Sequence, residues 1–318
     1  MSRQPVRVGL HSGQQYAVFD EIAALWRRAE DAGLDWVSLF DHVRPPLGGA
    51  AGPCLEPLTT LSALAGRTAR VRCALLVAAP AWRHPALLAA SLLTIDHVSG
   101  GRAELGLGVG SSDLGHQQFG IAPPGPDRYE FLDEYCAVVS GLLRGREVTH
   151  QGHHFSVQHA RLVPGPIQPS IPLTIGASGE RRGLRLVARW ADTWNTLAGS
   201  VDAYRRKCEA LDRWCDVEGQ DPSRIRRSIT FRTVLATTST RTAAKRERLR
   251  EALGGDHPDL HEHLDADSVG ELVDVLGQYR ELGATDFLLG LRPPLDEETL
   301  DVFVTEVAPQ LRTNETAR

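Results

Sequence analysis

The stretch "VRCALLVAAPAWRHPALLAASLLTIDHVSGGRAELGLG", Val71 to Gly108, decides the fold. Residues 71–79 form a near-continuous apolar run, as expected of a strand covered on both faces. Residues 84–98 read as a helix that opens at Pro85. Residues 102–108 return to a strand that ends in glycines. Strand, helix and strand in this order imply parallel neighbours in one sheet.

The same alternation runs outward in both directions. Residues 6–11 and 35–40 read as strands. Between them Phe19, Ile22, Ala23, Trp26 and Ala29 fall on one helical stripe, and Gly33 stops the helix. A helix is expected over 56–69. Downstream, strands are expected at 172–177, 192–197, 226–236 and 285–291, and helices at 127–144, 179–190, 201–218, 268–282 and 296–312. Ser268 and Glu271 form a capping box at the start of one of them. Eight strand–helix units in 318 residues fit a (β/α)8 TIM barrel, with an open doubly wound sheet as the alternative. No linker or repeat divides the chain, so residues 1–318 are read as one domain. Insertions are placed at about 111–126, 147–170 and 237–267. In a barrel, chemistry belongs at the C-terminal strand ends.

Composition narrows the function. The chain is 42% hydrophobic and 24% charged, with a net charge of −5 from 35 basic and 40 acidic residues. A nucleic-acid binder would carry a basic footprint instead. The first residues lack the apolar core of a signal peptide, and no apolar run approaches the roughly 18–20 residues of a membrane span. A soluble, cytoplasmic protein that binds a small molecule is expected. Five cysteines show no CxxC. Cys208 and Cys215 are seven apart on a predicted helix, about 10 Å along its axis, too far for a disulfide.

The chemistry-bearing residues sit at the predicted strand ends. Gly106, Gly108 and Gly110 have GxGxG spacing and close a strand, whereas a dinucleotide fingerprint is GxGxxG opening a helix. Glycine there suits a flat group pressed against the backbone. "GASGERRGLRLVARWAD" (176–192) is a glycine-rich turn feeding a helix, with Ser178 as the expected N-cap and Arg181 and Arg182 in the first turn. Cations there oppose the helix dipole unless an anion binds, and phosphate is the natural one. "FDHVRPP" sets Asp41 and His42 directly after a strand, where histidine suits proton transfer. "HQGHHFSVQH" (150–159) matches neither HExxH nor a zinc-finger spacing and reads as a surface hairpin, so no metal is expected. No GxSxG elbow or P-loop supports a hydrolase or kinase.

Four stretches together resemble the luciferase-like superfamily, and most closely its deazaflavin (coenzyme F420)-dependent oxidoreductases. They are "DAGLDWVSLFDH" (31–42), "AWRHPALLAASLLTIDHVSGGRAELGLGVG" (81–110), "QGHHFSV" (151–157) and "PIQPSIPLTIGASGERRGLRLVARWADTWN" (166–195). The likeness covers roughly 6–200 and returns at "ELGATDFLLGL" (281–291). It implies a barrel, usually dimeric, holding a flavin-type ring at the strand ends. By this likeness Asp41 contacts the cofactor and His42 is the proton donor. Ser111 and Ser112 touch the ring, and Asp113 is a second acid. The turn Ser178, Gly179, Glu180, Arg181, Arg182, Gly183 holds the phosphate. Leu76 and Val77, joined by a cis peptide, stand behind the ring beside Ala79. Some relatives that oxidise alcohols have Trp where this chain has Pro46, and often Glu where it has Asp113. The resemblance therefore points to reduction, by hydride transfer from C5 of reduced F420 to an imine, an activated C=C or a carbonyl. The alternatives are an FMN-dependent monooxygenase of the same superfamily and a non-catalytic flavin- or ligand-binding barrel.

Overall fold

A computed structural model describes residues 4–45, 52–110, 114–253, 263–291 and 295–313. Eight parallel strands close into a barrel: β1 (Arg7–His11), β2 (Trp36–Leu39), β3 (Arg72–Ala78), β4 (Ala103–Leu107), β7 (Leu173–Gly176), β8 (Thr193–Leu197), β9 (Arg226–Phe231) and β10 (Asp286–Gly290), with β10 pairing back onto β1. The open-sheet alternative is thereby excluded. All eight strands stand where the apolar runs place them. The strand expected at 226–236 ends earlier, at Phe231. The two remaining strands, β5 (Val148–Gln151) and β6 (Ser156–Ala160), form the expected antiparallel hairpin in the 147–170 insertion.

Helices α1 (Phe19–Asp31), α2 (Pro57–Ala65), α3 (Pro85–Ser99), α5 (Arg128–Leu143), α6 (Gly183–Trp190), α7 (Val201–Glu218) and α9 (Val269–Glu281) accompany the strands. Gly33 follows α1 at φ +72°, the left-handed conformation its stop signal requires. Ser268 caps α9 by accepting the Glu271 N–H. The C-terminal helix expected over 296–312 is broken into α10 (Glu297–Val302), a π turn and α11 (Ala308–Thr313). Two helices lie inside segments read as insertions: α4 (Leu114–Phe119) and α8 (Ser239–Leu253).

The barrel axis is filled in layers. At the N-terminal end, Arg7 and Arg72 both pair with Glu104, while Arg7 and Arg226 pair with Asp286. Above this ionic layer Trp36, Ala74, Leu76 and Leu288 form an inner apolar cluster. Gly9 makes room for the indole: a Cβ there would stand 2.4 Å from the Trp36 carbonyl oxygen and 2.5 Å from its ring. The larger core lies between strands and helices. The cleft opens above Leu76, at the C-terminal strand ends.

The family-like run 95–102 is architectural. Asp96 is buried and accepts from the Ile167 and Gln168 N–H groups and the Gln168 side chain, fastening the end of the 147–170 excursion. His97 Nε2 lies 2.8 Å from the Gly165 carbonyl oxygen. Arg102 donates to the carbonyl oxygens of Ala65, Thr68, Val71 and Ser99, tying the ends of α2 and α3 to the start of β3. The five cysteines are free thiols. No helix among the described residues is long and apolar enough to cross a membrane.

Candidate active site

A cavity of about 440 Å³ opens at the C-terminal strand ends, a size that suits a small ligand. Its walls include His11 at the end of β1, Leu76 and Val77 of β3, Val109 after β4, Tyr129 of α5, Ser178 and Gly179 after β7, Asn195 of β8 and Thr230 of β9.

Val77 is the floor. The Leu76–Val77 peptide is cis, as the resemblance implies, and the β3–β4 register shifts between Leu75 and Ala78. Here the glycines find their first use. A Cβ on Gly106 would lie 2.9 Å from both Leu75 O and Leu76 Cδ1 and 3.1 Å from Val77 Cγ1. One on Gly108 would lie 2.8 Å from Val77 Cγ2, and one on Gly176 2.9 Å from Val77 Cγ1. Three glycines from two neighbouring strands thus form a socket for one valine.

Asp41 and His42 follow β2. The Asp41 side chain is 1% exposed and fully engaged: Arg83 Nη1 donates to both its oxygens at 2.9 and 2.7 Å, and the Ala79 N–H donates to Oδ2 at 3.0 Å. Burial pushes its carboxyl pKa up, against the pull of Arg83. Asp41 therefore fixes the turn after β3. His42 is half-buried with its ring 5.4 Å from Phe40. Its carbonyl oxygen accepts from Gln14 Nε2 at 3.2 Å and from Cys54 Sγ at 3.3 Å, which holds the backbone of the proposed proton donor from two sides.

His11 stands beside it. Its Nδ1 lies 2.9 Å from Ser38 Oγ, and burial, with Arg232 and His42 adding to it, drops its pKa to about 4. It is neutral at pH 7. The Arg232 side chain passes over Gly290, the strand partner of His11, where a Cβ would meet Arg232 Cγ at 3.2 Å.

The turn Ser178–Arg182 is exposed and borders the cavity. Two expectations are corrected here. Ser178 is not the N-cap, because α6 starts at Gly183 with Arg182 in the cap position. Arg181 and Arg182 lie in the preceding turn instead of the first helical turn. Gly183 packs closely there: a Cβ on it would sit 3.1 Å from Ala177 Cβ. The N–H groups of Ser178 to Arg182 find no backbone acceptor among the described residues. Arg182 pairs with Asp127 and covers the Tyr129 ring at 4.7 Å. Arg185 and Arg189 pair with Glu218. With Arg181 they line an adjoining cavity of about 330 Å³. The free N–H groups and the nearby guanidinium groups are a donor set that suits an anion such as phosphate.

Ser111, Ser112, Asp113 and Pro46 lie outside the described residues. The sequence reading picked out Asn195 at a strand end but missed His11, Arg83, Thr230 and Arg232. Each is a single polar residue in or next to a strand or turn, and only barrel closure brings it to the cleft.

Residues 2–289 match the family model of the luciferase-like monooxygenases. The chain belongs to this family. Among its relatives, an F420-dependent glucose-6-phosphate dehydrogenase of Beutenbergia cavernae is 29% identical over 333 residues, covering 96% of each chain. Among solved structures, an F420-dependent secondary alcohol dehydrogenase, in complex with an F420–acetone adduct, superposes with a TM-score of 0.80 at 20% identity, covering 97% of this chain and 100% of that one. A riboflavin lyase with modified FMN and substrate riboflavin gives 0.84 at 18% identity, over 99% and 93%. At such identities the two structures show that this luciferase-like chain shares their fold.

Proposed function

We propose that this luciferase-like chain is an F420-dependent oxidoreductase working as a reductase, which passes a hydride to an imine, an activated C=C or a carbonyl of a small organic substrate. One observation carries the reading: the Val77-floored cleft, with Ser178 and Gly179 of the arginine-bearing turn in its wall, opens at the C-terminal strand ends, the same barrel end at which His42 follows β2. The F420-dependent dehydrogenase similar over its full length supports the choice of cofactor.

When bound, reduced F420 supplies the electron pair as a hydride from C5. Leu76, Val77 and Ala79 would back its ring. Ser178, Gly179, Glu180, Arg181, Arg182 and Gly183 would hold its phosphate through backbone N–H groups and guanidinium charge. Asp41 and Arg83 keep the Ala79 turn in place. The His42 imidazole delivers the proton that completes the two-electron reduction, with Asp113 as the second acid and Ser111 and Ser112 at the ring. Neutral His11 offers a hydrogen bond beside His42 without adding charge. On the same reading the protein is a cytoplasmic homodimer.

Fluorescence titration with F420 and with FMN tests the cofactor: F420 binding is expected, and tight FMN binding with no F420 binding overturns the proposal in favour of the monooxygenase. Turnover is read anaerobically as reoxidation of reduced F420 by a panel of reducible compounds. His42→Ala should then cost about 10²- to 10⁴-fold in kcat, the usual worth of a positioned acid. Undiminished kcat removes His42 as donor, and F420 binding with no turnover of any compound favours a binding barrel.

A further inference from the structure

We infer that the β5–β6 hairpin and the first turn of α5 form a binding site for a divalent first-row transition metal, with Glu130, His153 and His154 as ligands. The site lies outside the cleft and is independent of the function proposed above. Linear spacing hides it, because the carboxylate comes from a helix more than twenty residues before the histidines. In the fold, Glu130 Oε2 lies 3.5 Å from His154 Nε2 and 4.0 Å from His153 Nδ1, and the three ligand atoms lie within 4.8 Å of one another. Ligands held 2.0–2.1 Å from a tetrahedral zinc ion stand about 3.3 Å apart. The pairs with Glu130 therefore need only small closure, and the exposed His153 ring is free to swing.

Two further features make this a built site. The tip of the hairpin is pinned from below: the Glu134 carboxylate accepts the N–H groups of His153, His154 and Phe155 at 2.8, 2.9 and 3.1 Å. Gly152 permits this, since a Cβ there would fall 2.1 Å from Glu134 Oε2. The backbone under both histidines is thus fixed before any metal arrives. In addition, His154 is held with its ring 5.1 Å from Phe131, and its buried Nε2 has no hydrogen-bond partner although it faces Glu130. A buried imidazole nitrogen without a donor or acceptor is costly unless something fills the position. Two imidazoles and a carboxylate suit zinc, nickel or copper better than magnesium or calcium. Bound metal would clip the hairpin to the helix that supplies Tyr129 to the cleft.

Isothermal titration of Zn²⁺ into the untagged full chain tests the site. One equivalent is expected to bind, with a rise in thermal midpoint. His153→Ala and Glu130→Gln, both at exposed positions, should each abolish the stoichiometric binding and the midpoint shift. His159→Ala, on the same hairpin but paired with Glu147, should leave both unchanged. Absence of stoichiometric binding to the wild type overturns the inference. So does binding that survives His153→Ala and Glu130→Gln, or that His159→Ala removes equally.

Discussion

His11 shows how much one half-buried ring can report. Its pKa of about 4 lies below the roughly 6.5 of an unfolded histidine, chiefly through burial and then through Arg232 and His42. Below pH 6.5 the unfolded chain takes a proton that the folded chain refuses. Stability from this residue is therefore complete above about pH 6.5 and declines until about pH 4. An NMR titration of the His11 ring should give a midpoint near 4, and His11→Phe should flatten the stability profile in that window; a midpoint near 6.5 would contradict the packing described. His11 also marks a limit of sequence reading. Asp41 and His42 are adjacent and follow an obvious strand, so they stand out. His11 becomes a cleft residue only because β1 pairs with β10 and β2, and no local pattern carries that register. Asp41 shows the converse: its position was legible, but its partner, Arg83, was not.

At the level of elements, the turn between β7 and α6 is the part of the site most open to test. Arg181 is exposed and takes part in no ion pair among the described residues, while Arg182 rests on Tyr129. Charge-assisted hydrogen bonds contribute about 1.5–3 kcal/mol each. Arg181→Ala with Arg182→Ala should raise the F420 dissociation constant roughly 10- to 100-fold in fluorescence titration, with the thermal midpoint nearly unchanged; an unaltered constant would move the phosphate elsewhere. The elements differ in how readable they were. All eight barrel strands were visible: Arg72–Ala78 as a near-continuous apolar run, and polar ones such as Thr193–Leu197 by their place in the strand–helix alternation. Helix α4 is six residues long and contains a glycine, too short for a period to show. Helix α8, "STRTAAKRERLREAL", is mostly polar and has no marked apolar stripe. The start of α6 was misplaced because Arg182, its cap residue, makes no side-chain cap hydrogen bond and so carries no capping signal.

At the scale of the whole molecule, the ionic layer at the N-terminal end gathers Arg7, Arg72 and Arg226 around the buried carboxylates of Glu104 and Asp286. Burial works to raise the Glu104 pKa, but Arg7 and Arg72 outweigh it and hold it below the usual carboxylate value. The stabilisation it brings is present above the unfolded pKa near 4.5 and is lost as pH falls through the lower folded value. Glu104→Ala leaves Arg72 without a carboxylate and Arg7 with Asp286 alone, and should cost about 3–5 kcal/mol, read by urea denaturation at pH 7. A loss below 1 kcal/mol would show that water reaches the layer. That layer and the Trp36 plug fill the N-terminal end of the barrel. The Val77 floor is therefore reached from the opposite end, where the strands run out.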